Sequence, residues 1–244
     1  MLFVAAPAFS ANITIGDGSY RDPRVGEGQG RENNETEPGM TNSQIWDLEG
    51  FFFSKDSPSK NFLSVVGGYN FLDGQYSSWV RRNFMSGDIF ISTREPNPTG
   101  SAPYGYDYVL DLDFSTPENL TYSAYALSDA STLIDPYFTQ NGNSSPWQYT
   151  HGDELAITGY DGLSFNFSKV TSGSEFDIFG VGIHYALTGF DLSFLGHDTK
   201  FYSHFTMECG NDNLMGRGTV VPEPTTMILL GSGLVGLAFY RRKK

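Results

Sequence analysis

The 244 residues carry 28 acidic and 15 basic side chains, a formal charge of -13 that repels phosphate backbones and argues against a nucleic-acid partner. The single cysteine, Cys209, rules out an internal disulfide framework, so the fold rests on its core. With 20 Phe, 14 Tyr and 28 Gly, and no long Ala/Leu/Glu/Lys stretch ahead of the C-terminus, the composition points to β structure. Four cations end the chain; set aside from the tally of -13, they leave the body at -17. Such a surface favours solubility and divalent cations.

Residues 1–9 are apolar and small, and Ser10 and Ala11 lead into the polar Asn12. The pattern matches the distal part of a secretory signal peptide, with small residues for cleavage after Ala8, Ser10 or Ala11 and no basic region ahead of it. Residues 1–11 are therefore expected to be a signal remnant whose true start lies upstream; the simpler alternative is a buried first strand. Residues 12–43, rich in Gly, Asn, Glu and Arg, are expected to form an irregular arm. Gly26, Gly28 and Gly30 do not make a phosphate-cradling loop, because no apolar strand precedes them and Glu27 would repel phosphate. Asp17–Asp22 looks faintly like the start of a calcium loop, but Arg21 stands where an oxygen is needed.

From Gln44 the pattern changes to short apolar runs broken by turns. Strands are expected at 45–53, 61–71 (with Gly67 and Gly68 as a bulge), 88–93, 106–114, 120–127, 147–149, 155–160, 163–170, 176–187, 190–195 and 201–208. Residues 128–135 read as a short helix or helical turn. Short strands with tight turns and no repeat period indicate an antiparallel, jelly-roll-like β-sandwich over residues 44–216.

Alternation along 106–114 places Tyr106, Tyr108, Leu110, Leu112 and Phe114 on one face and Asp107, Val109, Asp111 and Asp113 on the other. Two residues of strand rise set Asp111 and Asp113 about 6–7 Å apart, a spacing that suits a shared Ca²⁺ or a pair flanking a glycosidic bond. Calcium needs more oxygens than these two supply, and a charged solvent face explains them more simply. His204 and Glu208 lie about 13 Å apart on one strand face, too far to share an ion, and His151, His184 and His197 show no ligand spacing. Cys209 follows Phe205 and Met207 on an apolar face and reads as structural. No hydrolase, metalloprotease or phosphate-loop motif is present, so no catalytic residue is assigned. Tyr69, Tyr76, Trp79, Tyr104, Tyr137, Phe138, Trp147 and Tyr149 fall in or near loops; the core claims most of them, and the remainder offer flat faces on which sugars pack.

The last segment is the most specific. Val221, Pro222, Glu223 and Pro224 precede a 16-residue apolar run, 225–240, and Arg241, Arg242, Lys243 and Lys244 close the chain. The prolines hold an extended segment open to a protease. The run suits a slightly short spanning helix, and the cations pin its far end in the cytoplasm. This tripartite tail, residues 217–244, resembles the PEP-CTERM sorting signal of Gram-negative bacteria, also described as an ice-binding protein C-terminal domain. The step Cys209-Gly210-Asn211-Asp212 resembles other PEP-CTERM carriers of unknown role. The resemblance implies an exosortase as partner, a transient inner-membrane helix, then the cell surface or extracellular matrix, and an association with extracellular polysaccharide. The sequence thus points to a non-catalytic surface or matrix protein that needs no cofactor. A glycan hydrolase using Asp111 and Asp113 is the alternative. Ice binding comes third, since the regular Thr-rich face is missing.

Overall fold

The structure is a computed structural model that describes residues 10–15, 36–37, 40–41, 43–57, 60–97, 100–139, 144–150, 152 and 154–220. The first nine residues, most of the arm, Val221, Pro222, Glu223, Pro224, the run 225–240 and Arg241–Lys244 lie outside the described residues. So do the glycine-rich step at 26–30, the stretch 17–22 and His151. Among the described residues no helix is long and apolar enough to cross a membrane.

The body is built from two antiparallel sheets. One has five strands in the order β1 (Ala11–Asn12), β3 (Leu48–Ser57), β4 (Lys60–Gly67), β14 (Tyr185–Asp191) and β13 (Asn166–Lys169). The other has seven, in the order β12 (Leu163–Ser164), β9 (Thr121–Ala126), β8 (Tyr108–Asp113), β7 (Ile89–Ser92), β15 (Lys200–Thr206), β16 (Asn213–Thr219) and β2 (Thr14–Ile15). Two small hairpins, β5 (Gln75–Ser77) with β6 (Arg82–Phe84) and β10 (Thr132–Ile134) with β11 (Gln148–Thr150), sit outside them. Alternation explains the layering. Phe51, Phe53, Leu63 and Val65 from one sheet meet Ile89, Ile91, Leu110, Phe201 and Phe205 from the other, all buried. Rings meet within this layer: Phe53 on Phe201 at 5.0 Å, Phe71 on Phe205 at 5.6 Å and Tyr122 on Phe190 at 5.3 Å. Burying each such side chain contributes about 1.5–3 kcal/mol.

The sandwich is closed along one seam. The chain passes from β1 to β2 at Ile13, whose N–H donates to the Phe51 carbonyl while its own carbonyl accepts from the Arg217 N–H. Thr14 Oγ1 accepts the Phe51 N–H at 3.0 Å. Gly216 permits the approach, because a Cβ there would stand 2.4 Å from Ser203 Oγ and 3.0 Å from Phe51 Cβ.

Both outer faces are partly covered. The β10–β11 hairpin lays Tyr149 over Phe90, Val109 and Tyr125. Residues 176–184, expected as strand, instead form a covering loop whose Phe176 and Phe179 pack edge-on against Phe52 at 5.0 and 5.9 Å. Gly180 and Gly182 break its alternation. Residues 128–135, expected as helical, make a turn, with the Ser131 N–H donating to the Ser128 carbonyl, and then β10. Residues 155–160 supply one isolated bridge, Ala156 to Tyr125, and then a turn. The bulge lies on β3 between Leu48 and Gly50, and Gly67 and Gly68 do not form one. A Cβ on Gly68 would sit 1.9 Å from the Gln44 carbonyl, so that glycine admits the 3-10 turn at Gln44–Trp46. Strand β8 keeps the expected faces for Leu110, Leu112 and Val109, but Tyr106 joins Val109's face because the chain turns before Tyr108. Strands β1 and β2 belong to the sandwich, and β16 runs three residues past position 216.

Candidate functional site

The loop aromatics separate into two groups. Tyr69, Tyr104 and Tyr149 are buried and Trp147 is half-buried, whereas Tyr76, Trp79 and Tyr137 are exposed. Trp79, Tyr137 and Phe138 come together at one end of the sandwich.

Hairpin β5–β6 carries Trp79 at its tip. The turn closes with the Arg81 N–H donating to the Ser77 carbonyl at 2.8 Å and places Arg81 at φ 57°. Its base is fixed to the core, where the Tyr69 hydroxyl donates to the Phe84 carbonyl at 2.7 Å and the Ser86 hydroxyl to the Phe71 carbonyl at 2.7 Å. Segment 137–138 is held against the turn after β15. There the Tyr137 N–H donates to the Glu208 carbonyl at 2.7 Å and the Phe138 N–H to that of Cys209. The two pieces meet as a stack, with Trp79 lying on Phe138 at 5.9 Å and 20° between planes. One indole face is covered by Phe138, yet the residue is 80% exposed. Arg82 braces the corner. Its guanidinium lies 5.1 Å from the Phe84 ring centre and 5.0 Å from that of Tyr137, and it pairs with Glu208, which also accepts the Met85 N–H.

Under this stack lies a pocket of about 170 Å³. Trp46, Trp79, Phe84 and Phe138 form its walls, Ser77 and Thr41 supply hydroxyls, and Cys209 and Asn211 lie behind them. Asn211 is a brace, since its amide accepts the Thr41 N–H and donates to the Thr41 and Trp46 carbonyls. Burial pushes the Cys209 thiol up to about 12, which keeps it protonated at neutral pH and poorly nucleophilic. The arrangement sets aromatic rings beside hydroxyl residues, a combination that matches the apolar face and polar rim of a sugar ring.

The other sequence-derived positions do not join this site. Asp113 is exposed; Ser115 bonds hold its carboxyl below the usual range, and the Ser115 N–H donates to it at 2.8 Å. Asp111 stands half-buried opposite Ser123, near Asp88. Asp88 is enclosed and accepts the Leu112 and Tyr149 N–H groups. Burial, followed by the Asp111 charge, pushes its carboxyl well above the usual range. His204 is fully buried between Phe90 and Tyr106, with Nε2 2.9 Å from the Pro146 carbonyl, and desolvation depresses it to about 4. His184 Nε2 lies 2.9 Å from Glu49 Oε1 inside the loop-covered face, and His197 is exposed. Among the described residues no three His, Cys, Asp or Glu side chains gather in a way that could hold a metal ion.

Sequence reasoning missed Trp46 and Phe84 as pocket walls and Arg82 as their brace. No short-range signal marks them, because the pocket joins segments near 46, 79, 138 and 209 that only the fold brings together.

Comparison with known proteins identifies the end of the chain. The family model of the PEP-CTERM protein-sorting motif matches residues 220–243. The chain thus carries a PEP-CTERM protein-sorting motif at its end, a signal that implies export and processing by an exosortase. The match takes in Val221, Pro222, Glu223 and Pro224, the apolar run and the first three cations, and leaves the body outside it. No curated protein and no solved structure matches the chain.

Proposed function

We propose that the body is a non-catalytic surface or matrix module that binds extracellular polysaccharide through the pocket beneath Trp79. The observation that carries this reading is the pocket itself, where the 80% exposed Trp79, stacked on Phe138, stands with the hydroxyl residues Ser77 and Thr41. Topology supports it. Cys209 and Asn211, beside the pocket, precede β16 at Asn213, and the chain leaves the body at the other end of that strand, after Thr219. Seven residues of strand rise separate the two ends by roughly 20 Å. A molecule held by its C-terminal tail therefore carries the pocket on the end away from the tether.

The test is retention of the purified protein on exopolysaccharide from the source cells, with and without Ca²⁺. Wild type should be retained and Trp79→Ala should not. Failure of the wild type in both conditions would remove the carbohydrate reading.

A further inference from the structure

We infer that the Trp79 pocket takes a single neutral pyranose, offered at the end or on a branch of a glycan, instead of a run of sugars along a chain. This rests on the reading that the pocket binds polysaccharide, and narrows it. Volume comes first. About 170 Å³ is well below the roughly 300–1,000 Å³ that encloses a drug-sized ligand, so one six-membered ring fits and a second does not.

Ring geometry agrees. A platform that follows a chain needs several aromatic planes in a row. Here Trp79 is the one largely exposed ring among the described residues that line the pocket, and it stacks on Phe138. Trp46 and Phe84 meet edge-on at 6.1 Å and 69° and act as walls. Tyr76, the next exposed ring on the hairpin, does not line the pocket.

Charge selects neutrality. None of the described residues lining the pocket is ionised. The adjacent cation, Arg82, does not line the pocket and already pairs with Glu208, which offsets its attraction for a sugar carboxylate. The body's net charge of -17 disfavours an anionic sugar further. Ser77 and Thr41 bring hydroxyls to the lining, neutral groups of the kind that pair with ring hydroxyls.

The experiment is calorimetric titration of the full chain in detergent with neutral methyl pyranosides, the matching uronic acids, and neutral oligosaccharides of two to six units. At least one neutral monosaccharide should bind within about threefold of its oligosaccharide, and its uronic acid should bind at least about tenfold more weakly. Trp79→Ala, at an exposed position that leaves the fold intact, should abolish both signals. Affinity that climbs steeply with chain length, or uronic acids that bind as well as neutral sugars, would overturn this inference while leaving polysaccharide binding standing. Absence of binding across the whole panel and to the native exopolysaccharide would overturn both.

Discussion

The two ends of the sandwich are built differently. At the Asn213 end, aromatic rings, a cation braced on two of them and side chains spent on backbone groups assemble a pocket from four distant segments. At the Thr219 end the chain leaves through plain backbone pairing, with Val220 donating to the Thr199 carbonyl and accepting from the Asp198 N–H. The side chains at the first end enclose a cavity, and those at the second only finish a strand. On the proposed reading, recognition belongs to the first end and attachment to the second.

The largest expected effect strikes what both ends share. Gly216→Val forces a side chain into Ser203 and Phe51 where the sheets meet, and should cost about 3 kcal/mol or more, read by denaturant unfolding. Both ends should weaken together; binding retained in full despite the loss of stability would show that the seam does not support the pocket.

Acidification comes next. His204 sits near 4 in the folded protein and near 6.5 when unfolded, so the folded state binds fewer protons between those values. Stability should therefore fall as pH drops from 6.5 to 4, by roughly 3 kcal/mol in all. Asp88 opposes this, because a raised carboxyl favours the folded state on protonation. The fair measure is the difference in pH slope between wild type and His204→Gln, and equal slopes would refute the assignment.

Trp79→Ala should reduce glycan binding about tenfold or more, ~1.4 kcal/mol, and leave the melting temperature nearly unchanged. A large drop in stability would make Trp79 a core residue in disguise. Removing the Arg82–Glu208 pair with Arg82→Met should cost less than about 1 kcal/mol, as expected of a partly exposed pair. The smallest effect is expected from Asp111→Asn with Asp113→Asn, which should leave glycan binding as in wild type. Turnover of a glycan by wild type that this double variant abolishes would revive the hydrolase reading.

Much of the sandwich was legible because alternation is a local signal. Residues 108–113 carry both faces in their own spelling and β9 follows the same rule, whereas β3 and β4 read as apolar runs because both of their faces are covered. Strand β16 was not, since Gly216 and Gly218 lower its strand propensity, and only the close approach of Phe51 and Phe201 explains why glycine is needed there. Residues 176–184 misled for the opposite reason. Phe176 and Phe179 have a strand's composition but satisfy it as a lid over Phe52. The aromatic loops were visible as a set, and yet sequence could not say that Trp79 and Phe138 meet while Tyr104 and Tyr149 are enclosed, because that choice depends on contacts across the chain.

The pairing of Val220 has a consequence for the enzyme that recognises the tail. Val220 is buried and tied on both sides to the 198–199 turn, and Pro222 stands two residues later. Two residues reach at most ~7 Å even when fully extended. A protein gripping the Pro-Glu-Pro step therefore works with its rim almost touching folded cargo. It needs a cleft open on that flank, or must first peel the final residues of β16 from their neighbours. Inserting a short flexible spacer after Val220 should then quicken processing if clearance limits it.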